Sequence, residues 1–216
     1  MMSPPHLSFL PGASGSDEFW QPVANRLPAD WTCSRLRWPG AGNEPADPGI
    51  SGYGDLIAQV GVGLTPGADL VAQSMGGVIA IGVAVAFPEK VRRIVLVATS
   101  GGLPFDLPAV TDWRGEYRRT FPDAAAWVTQ ERPDFRAHLS QITVPVLLIW
   151  GDADPISPPA VGERLADMLP DAHLHVIAGG THDVAHDHPD EVAALIRTHL
   201  TDAAPPCPGS GVPERP

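Results

Sequence analysis

Apolar residues along the 216-residue chain form two alternating textures. Short apolar runs stand at 6–10, 68–73, 91–98 and 144–150, with a weaker one at 173–177. Runs this short, bounded by glycine or proline, predict buried strands. Residues 31–38, with Cys33, Leu36 and Trp38, predict one more. Between the runs, apolar residues recur at helical spacing. Phe19, Trp20, Val23, Ala24 and Leu27 predict a helix over 17–27, and Leu56, Ile57, Val60 and Leu64 another over 55–64. Further helices are expected over 160–169 and from Pro189 onward. Residues 76–87 are small and apolar on every side, which predicts a buried helix ended before Pro88. Strand–helix alternation of this kind predicts an α/β fold: a mostly parallel sheet of about six strands with helices on both faces.

Two segments break the alternation. Residues 103–141 carry Phe105, Trp113, Tyr117, Phe121, Trp127 and Phe135, with Arg114, Arg118 and Arg119 among them. Two or three short helices are expected there. From 201 the chain is dominated by alanine, proline, glycine and serine, which predicts a disordered tail over 201–216. The expected organisation is one domain over 1–200 with an insertion at about 103–141.

Length and a hydrophobic content of 44% suit a single buried core. The net charge of −11 argues against nucleic acid and anionic membrane surfaces as partners. Two cysteines, Cys33 and Cys207, make no disulfide framework and read as free thiols of a reducing compartment, the cytoplasm. The first eleven residues hold no lysine or arginine and too short an apolar run for a signal peptide. No uninterrupted apolar run reaches membrane-spanning length.

The chemistry centres on Ala72-Gln73-Ser74-Met75-Gly76, at the joint between the expected strand at 68–73 and the buried helix. A direct strand-to-helix turn forces backbones together, so small residues at 72, 76 and 77 fit it. Ser74 would project at the carboxyl end of a strand beside a helix amino end. Free N–H groups and the helix dipole there favour a developing oxyanion. Taken alone, the stretch also suits a serine that merely caps a helix.

This stretch resembles the nucleophile elbow of the α/β-hydrolase family, G-x-S-x-G, with Ala72 in place of the first glycine. Other segments carry the same resemblance. Pro11-Gly12-Ala13 is similar to the family's His-Gly-x loop, with Pro11 where the histidine stands, and implies Ala13 as a backbone donor to the oxyanion. Pro39-Gly40-Ala41-Gly42 is similar to the family's Pro-Gly-x-Gly segment. Gly151-Asp152-Ala153-Asp154, with Pro158 beyond, resembles the acid loop and points to Asp154 rather than Asp152. The glycine-flanked His182 falls where the family keeps its general base.

Serine, aspartate and histidine thus follow the hydrolase order. The resemblance runs from about 6 to 200 and lacks the family's amino-terminal hairpin. It implies a Ser74–Asp154–His182 triad, an oxyanion hole from the Ala13 and Met75 N–H groups, and no cofactor. His182, His186 and His188, with Asp183 and Asp187, invite a metal reading. They lack any Cys/His spacing typical of zinc, so no metal is expected. The segment 103–141 corresponds to the family's lid, here short. Phe105, Trp113, Tyr117 and Trp127 are expected to face Ser74 and meet an apolar part of a small to medium acyl substrate.

Within the family the chain resembles small-lid serine carboxylesterases, a group that includes the methyl ester esterases acting on a pimeloyl carrier protein. That implies hydrolysis of a carboxylic ester or thioester, with an acyl-carrier protein as a partner that the lid arginines could meet. Two readings stay open beside it. One is a receptor-like protein of this fold with slow or no turnover. The other is a lyase of this fold, which keeps an arginine in the helix where this chain has Val78, Ile79 and Ala80.

Overall fold

The apolar runs lie side by side in one sheet whose neighbours all pair in parallel. The computed structural model describes residues 4–104 and 110–201, so Phe105 and Cys207 lie outside the described residues. Its strands are β1 (His6–Leu10), β2 (Thr32–Arg35), β3 (Ala68–Gln73), β4 (Val91–Val97), β5 (Val146–Gly151) and β6 (Ala172–Ile177). They stand in the order β2-β1-β3-β4-β5-β6. The chain leaves β1 toward one edge and then crosses back to the other side of β1 to form β3. Such a reversal opens a crevice beyond the carboxyl ends of the two strands, where ligands of open parallel sheets gather.

Each central strand is buried on both faces, hence its continuous apolar run. Alternate residues serve opposite layers. Leu70, Ala72, Ile94, Leu96, Leu148 and Trp150 pack on α2 (Tyr53–Gly63), α3 (Met75–Ala86) and α6 (Pro159–Met168). Phe9, Val71, Val95, Val97 and Ile149 face Trp20, Val23 of α1 (Gln21–Ala24) and Val192 and Ile196 of α8 (Pro189–Thr201). From Met75 to Ala84, α3 is buried throughout. Ile79 and Ile81 are wholly enclosed, and burial of each stabilises the fold by about 1.5–3 kcal/mol. Among the described residues no helix is long and apolar enough to cross a membrane.

The remaining helices are short: α4 (Arg114–Thr120) and α5 (Trp127–Gln130) in the segment between β4 and β5, and α7 (Val184–Asp187) after β6. Two expected elements come out differently. The helix expected over 17–27 is a 3-10 turn, Asp17–Trp20, followed by the single turn of α1. Pro22, which has no N–H to donate, stands in the first turn of α1 and starts that helix anew. The strand expected over 31–38 stops at Arg35. Trp38 leaves the sheet edge and is buried, its Nε1–H donating to the Pro11 carbonyl at 2.7 Å.

Candidate active site

β3 passes into α3 with Ser74 alone between them. Ser74 adopts φ 51° and ψ −118°, a left-handed conformation that costs on the order of 1–3 kcal/mol and persists only where neighbours fix it. They do so here from both sides. The Ser74 N–H donates to Val97 O at 3.0 Å, and its carbonyl accepts from the Gly77 N–H (3.0 Å) and the Thr99 hydroxyl (2.6 Å). The loop after β1 presses against this turn. A Cβ on Gly76 would lie 2.4 Å from Leu10 O and 2.5 Å from Pro11 O, and one on Gly12 would lie 2.2 Å from Gln73 Oε1. Only glycine allows the approach at 76, where the atoms met are backbone; at 12 a larger residue would have to displace the Gln73 side chain.

His182 follows β6 and reaches back across the carboxyl edge of the sheet. Its Nε2 lies 3.0 Å from Ser74 Oγ and its Nδ1 2.8 Å from Asp154 Oδ2. The Asp154 side chain is fully buried; that of His182 keeps 18% of its surface exposed. Asp154 is held rigidly, because its Oδ1 accepts the Ile156 N–H at 2.8 Å and the Ser157 N–H at 3.0 Å. Asp152 points elsewhere and accepts the Gly179 N–H at 2.7 Å, bracing the loop that carries His182. Gln73 braces it from the other side, its Nε2–H donating to His182 O at 3.2 Å.

The loop from Pro11 to Gly15 is fixed carbonyl by carbonyl. Pro11 O accepts from Trp38 Nε1, Gly12 O from the Gly15 N–H at 3.1 Å, and Ala13 O from the Tyr117 hydroxyl at 2.9 Å. Tyr117 in turn accepts the Gly42 N–H at 2.7 Å. The Ala13 N–H donates to no protein group among the described residues. Met75 is the first residue of α3, so its N–H has no intrahelical acceptor.

A cavity of about 370 Å³ opens onto Ser74 and His182. Met75, Val78, Leu103, Val110, Trp113 and Ile156 give it apolar wall, and Tyr53, Arg114, Glu131 and Arg132 give it polar wall. Among the described residues no cluster of three or more histidine, cysteine, aspartate or glutamate side chains gathers to hold a metal ion. Asp187 instead accepts the Thr181 hydroxyl at 2.8 Å.

The family model described as the alpha/beta hydrolase family matches residues 9–195. The chain belongs to the α/β-hydrolase family. A pimeloyl-acyl carrier protein methyl ester esterase from Neisseria meningitidis is 32% identical over 219 residues, covering 80% of this chain and 69% of that protein. A 2-hydroxy-6-oxononadienedioate/2-hydroxy-6-oxononatrienedioate hydrolase from Paraburkholderia phymatum is 28% identical, covering 88% of this chain and 83% of that one. Among solved structures, carboxylesterase CesB from Bacillus subtilis superposes with a TM-score of 0.71 at 18% identity, over 93% of this chain and 85% of its own.

In this α/β-hydrolase the aromatic residues expected around Ser74 divide. Trp113 lines the cavity. Tyr117 and Trp127 are not among the cavity's lining residues. A phenol needs a partner for its hydroxyl, and Tyr117 finds two on the loops that carry Ala13 and Gly42. Trp127 is buried and packs edge-on against Tyr53 at 5.7 Å. Phe105 lies outside the described residues. Gln73, Thr99 and Trp38, the braces of the site, escape sequence reasoning because each acts on a backbone group distant in the chain.

Proposed function

We propose that this protein is a serine carboxylesterase that cleaves small to medium carboxylic esters, or thioesters, through an acyl-enzyme. The reading rests on one observation. Ser74 Oγ lies within hydrogen-bond reach of an imidazole whose other nitrogen is held by a buried carboxylate.

A serine hydroxyl alone is a poor nucleophile at neutral pH. His182 takes its proton as Oγ attacks the carbonyl carbon. Asp154 keeps the proton of the neutral imidazole on Nδ1, leaving Nε2 as the base, and stabilises the imidazolium that forms. The Ala13 and Met75 N–H groups receive the negative oxygen of the tetrahedral intermediate. His182 then protonates the leaving alkoxide, or thiolate, and the alcohol or thiol departs. A water deprotonated by His182 attacks the acyl-enzyme and releases the acid. The segment 103–141 serves as a short lid, with Trp113 meeting the substrate.

The names of the curated relatives support an ester linked to an acyl-carrier protein as one substrate form. The arginines of the lid offer positive charge to such an acidic partner, on a chain whose net charge is −11. Two cysteines without a disulfide framework support a place in the cytoplasm.

A panel of p-nitrophenyl esters from acetate to palmitate, with Ser74→Ala beside the wild type, tests the proposal. Turnover of the shorter esters, lost in Ser74→Ala, is expected. Equal turnover by both proteins would remove it, and binding without turnover would favour the receptor-like reading.

A further inference from the structure

The cavity at Ser74 holds more positive charge than an apolar acyl chain requires. Arg114 and Arg132 both line it. Among the described residues Arg132 Nη1 donates only to neutral carbonyls, Thr129 O at 2.8 Å and Glu131 O at 3.2 Å. Arg114 Nη1 meets Asp112 Oδ1 at 3.1 Å near the surface, where Asp112 is 71% exposed. Its Nε is buried with no hydrogen-bond partner among the described residues. The guanidinium lies 5.2 Å from the Trp113 ring, which fixes its place in the wall. Glu131 is the acid in this wall, and it is occupied: its Oε2 accepts the Tyr53 N–H at 3.1 Å. Among the described residues it forms no ion pair with either arginine.

Burial, and then the neighbouring Arg114, pull the Arg132 pKa down, and Arg132 itself stays largely exposed, so two like charges face one another where solvent can reach one of them. Tyr53 lines the same cavity within electrostatic range of both arginines. Its hydroxyl is a donor at neutral pH, as any phenol's is, and burial pushes its pKa further up, to about 12. Two cations and a phenol, with Glu131 turned onto backbone and Asp112 meeting Arg114 from its exposed position, make a place that an oxyanion completes. A carboxylate between guanidinium groups accepts charge-assisted bonds and relieves their repulsion.

We infer that Arg114, Arg132 and Tyr53 form an anion subsite inside the substrate cavity, and that the preferred substrates are esters carrying a second, ionised acid group, such as half-esters of dicarboxylic acids. This rests on the esterase reading and adds to it the chemical class of the substrate.

Hydrolysis of monomethyl adipate, compared with methyl heptanoate of similar length and no charge, reads the subsite as a ratio within one protein preparation. The wild type should favour the half-ester by about tenfold or more in kcat/KM. Arg132→Gln and Arg114→Gln should each bring that ratio toward one, and a lower folded fraction does not change a ratio. A methyl ester ending in a phosphonate separates the two oxyanion sources. Preference for the carboxylate supports the small-molecule half-ester, and preference for the phosphonate overturns it in favour of a phosphate-bearing substrate. Equal rates on charged and neutral esters in the wild type would overturn the subsite while leaving the esterase standing. If neither methyl ester turns over, the p-nitrophenyl panel judges the esterase reading separately. Calorimetric binding of adipate then decides the subsite: binding lost in Arg132→Gln supports it, and no binding, or binding unchanged in the variant, overturns it.

Discussion

The Tyr117 hydroxyl donates to the carbonyl oxygen of Ala13 at 2.9 Å, across 104 residues of chain. The peptide unit that this bond holds adjoins the one whose N–H is assigned to the oxyanion. A helix of the segment between β4 and β5 thereby holds the loop whose backbone is proposed to receive the oxyanion. Tyr117→Phe keeps the ring and its packing on Phe121 and removes the bond. Loss of an oxyanion donor outright costs roughly a hundred- to a thousand-fold. Loosening one should cost about tenfold in kcat and leave KM nearly unchanged. Steady-state kinetics on one short ester check this, and kcat equal to wild type would show that the bond only seats the lid.

Cavity volume sets a second expectation. Each added methylene contributes about 0.8 kcal/mol, roughly fourfold, while wall remains to meet it. With about 370 Å³ available, kcat/KM should rise over the first few acyl carbons and then level or fall. Trp113→Ala should blunt the early rise and largely spare acetate. A steady rise through palmitate would mean an open groove. Equal loss on every ester would mean that Trp113 holds the fold.

The two aspartates of the loop after β5 should part company. Asp154→Asn removes the charge that holds His182, and kcat should fall by roughly a thousand- to ten-thousand-fold. Asp152→Asn keeps an oxygen for the Gly179 N–H and should stay within about threefold of wild type. Comparable losses in the two variants would refute the assignment of Asp154 as the acid.

His199 predicts how stability depends on pH. Burial first, and then the nearby charge of Arg93, depress its pKa from 6.5 to about 4. The unfolded chain therefore takes up this proton before the folded one does. Stability from this site is complete above about pH 6.5 and is lost progressively toward pH 4. Allowing for the partial exposure of the ring, the loss is on the order of 1–2 kcal/mol. Urea unfolding at pH 7 and pH 5 should show a smaller drop for His199→Gln than for wild type. An equal drop would place the acid sensitivity elsewhere.

Much of this was legible in the sequence, for a physical reason. Ser74, Asp154 and His182 each stand after an apolar run, and the carboxyl ends of parallel strands lie along one edge. Placing the strands therefore places the residues. The 3-10 break before Pro22 and the early end of β2 were not legible, because helical spacing survives a break and an edge strand needs no fixed length. The segment between β4 and β5 read least well. Its aromatics look alike in sequence, yet Trp113 meets the cavity while Tyr117 turns to the loop carrying Ala13, and only the partners of the phenol decide that. Arg114 and Arg132 likewise become cavity residues only in the folded chain, where both line the cavity at Ser74.

Catalysis through an acyl-enzyme requires a covalent bond to Ser74. Rapid mixing with p-nitrophenyl acetate, acid quenching and intact-mass analysis measure it directly. The expected result is a burst of p-nitrophenol together with a mass gain of one acetyl group, mapped by peptide sequencing to Ser74 and absent from Ser74→Ala. An acetyl group on another residue, or steady turnover by Ser74→Ala at the wild-type rate, would contradict the account.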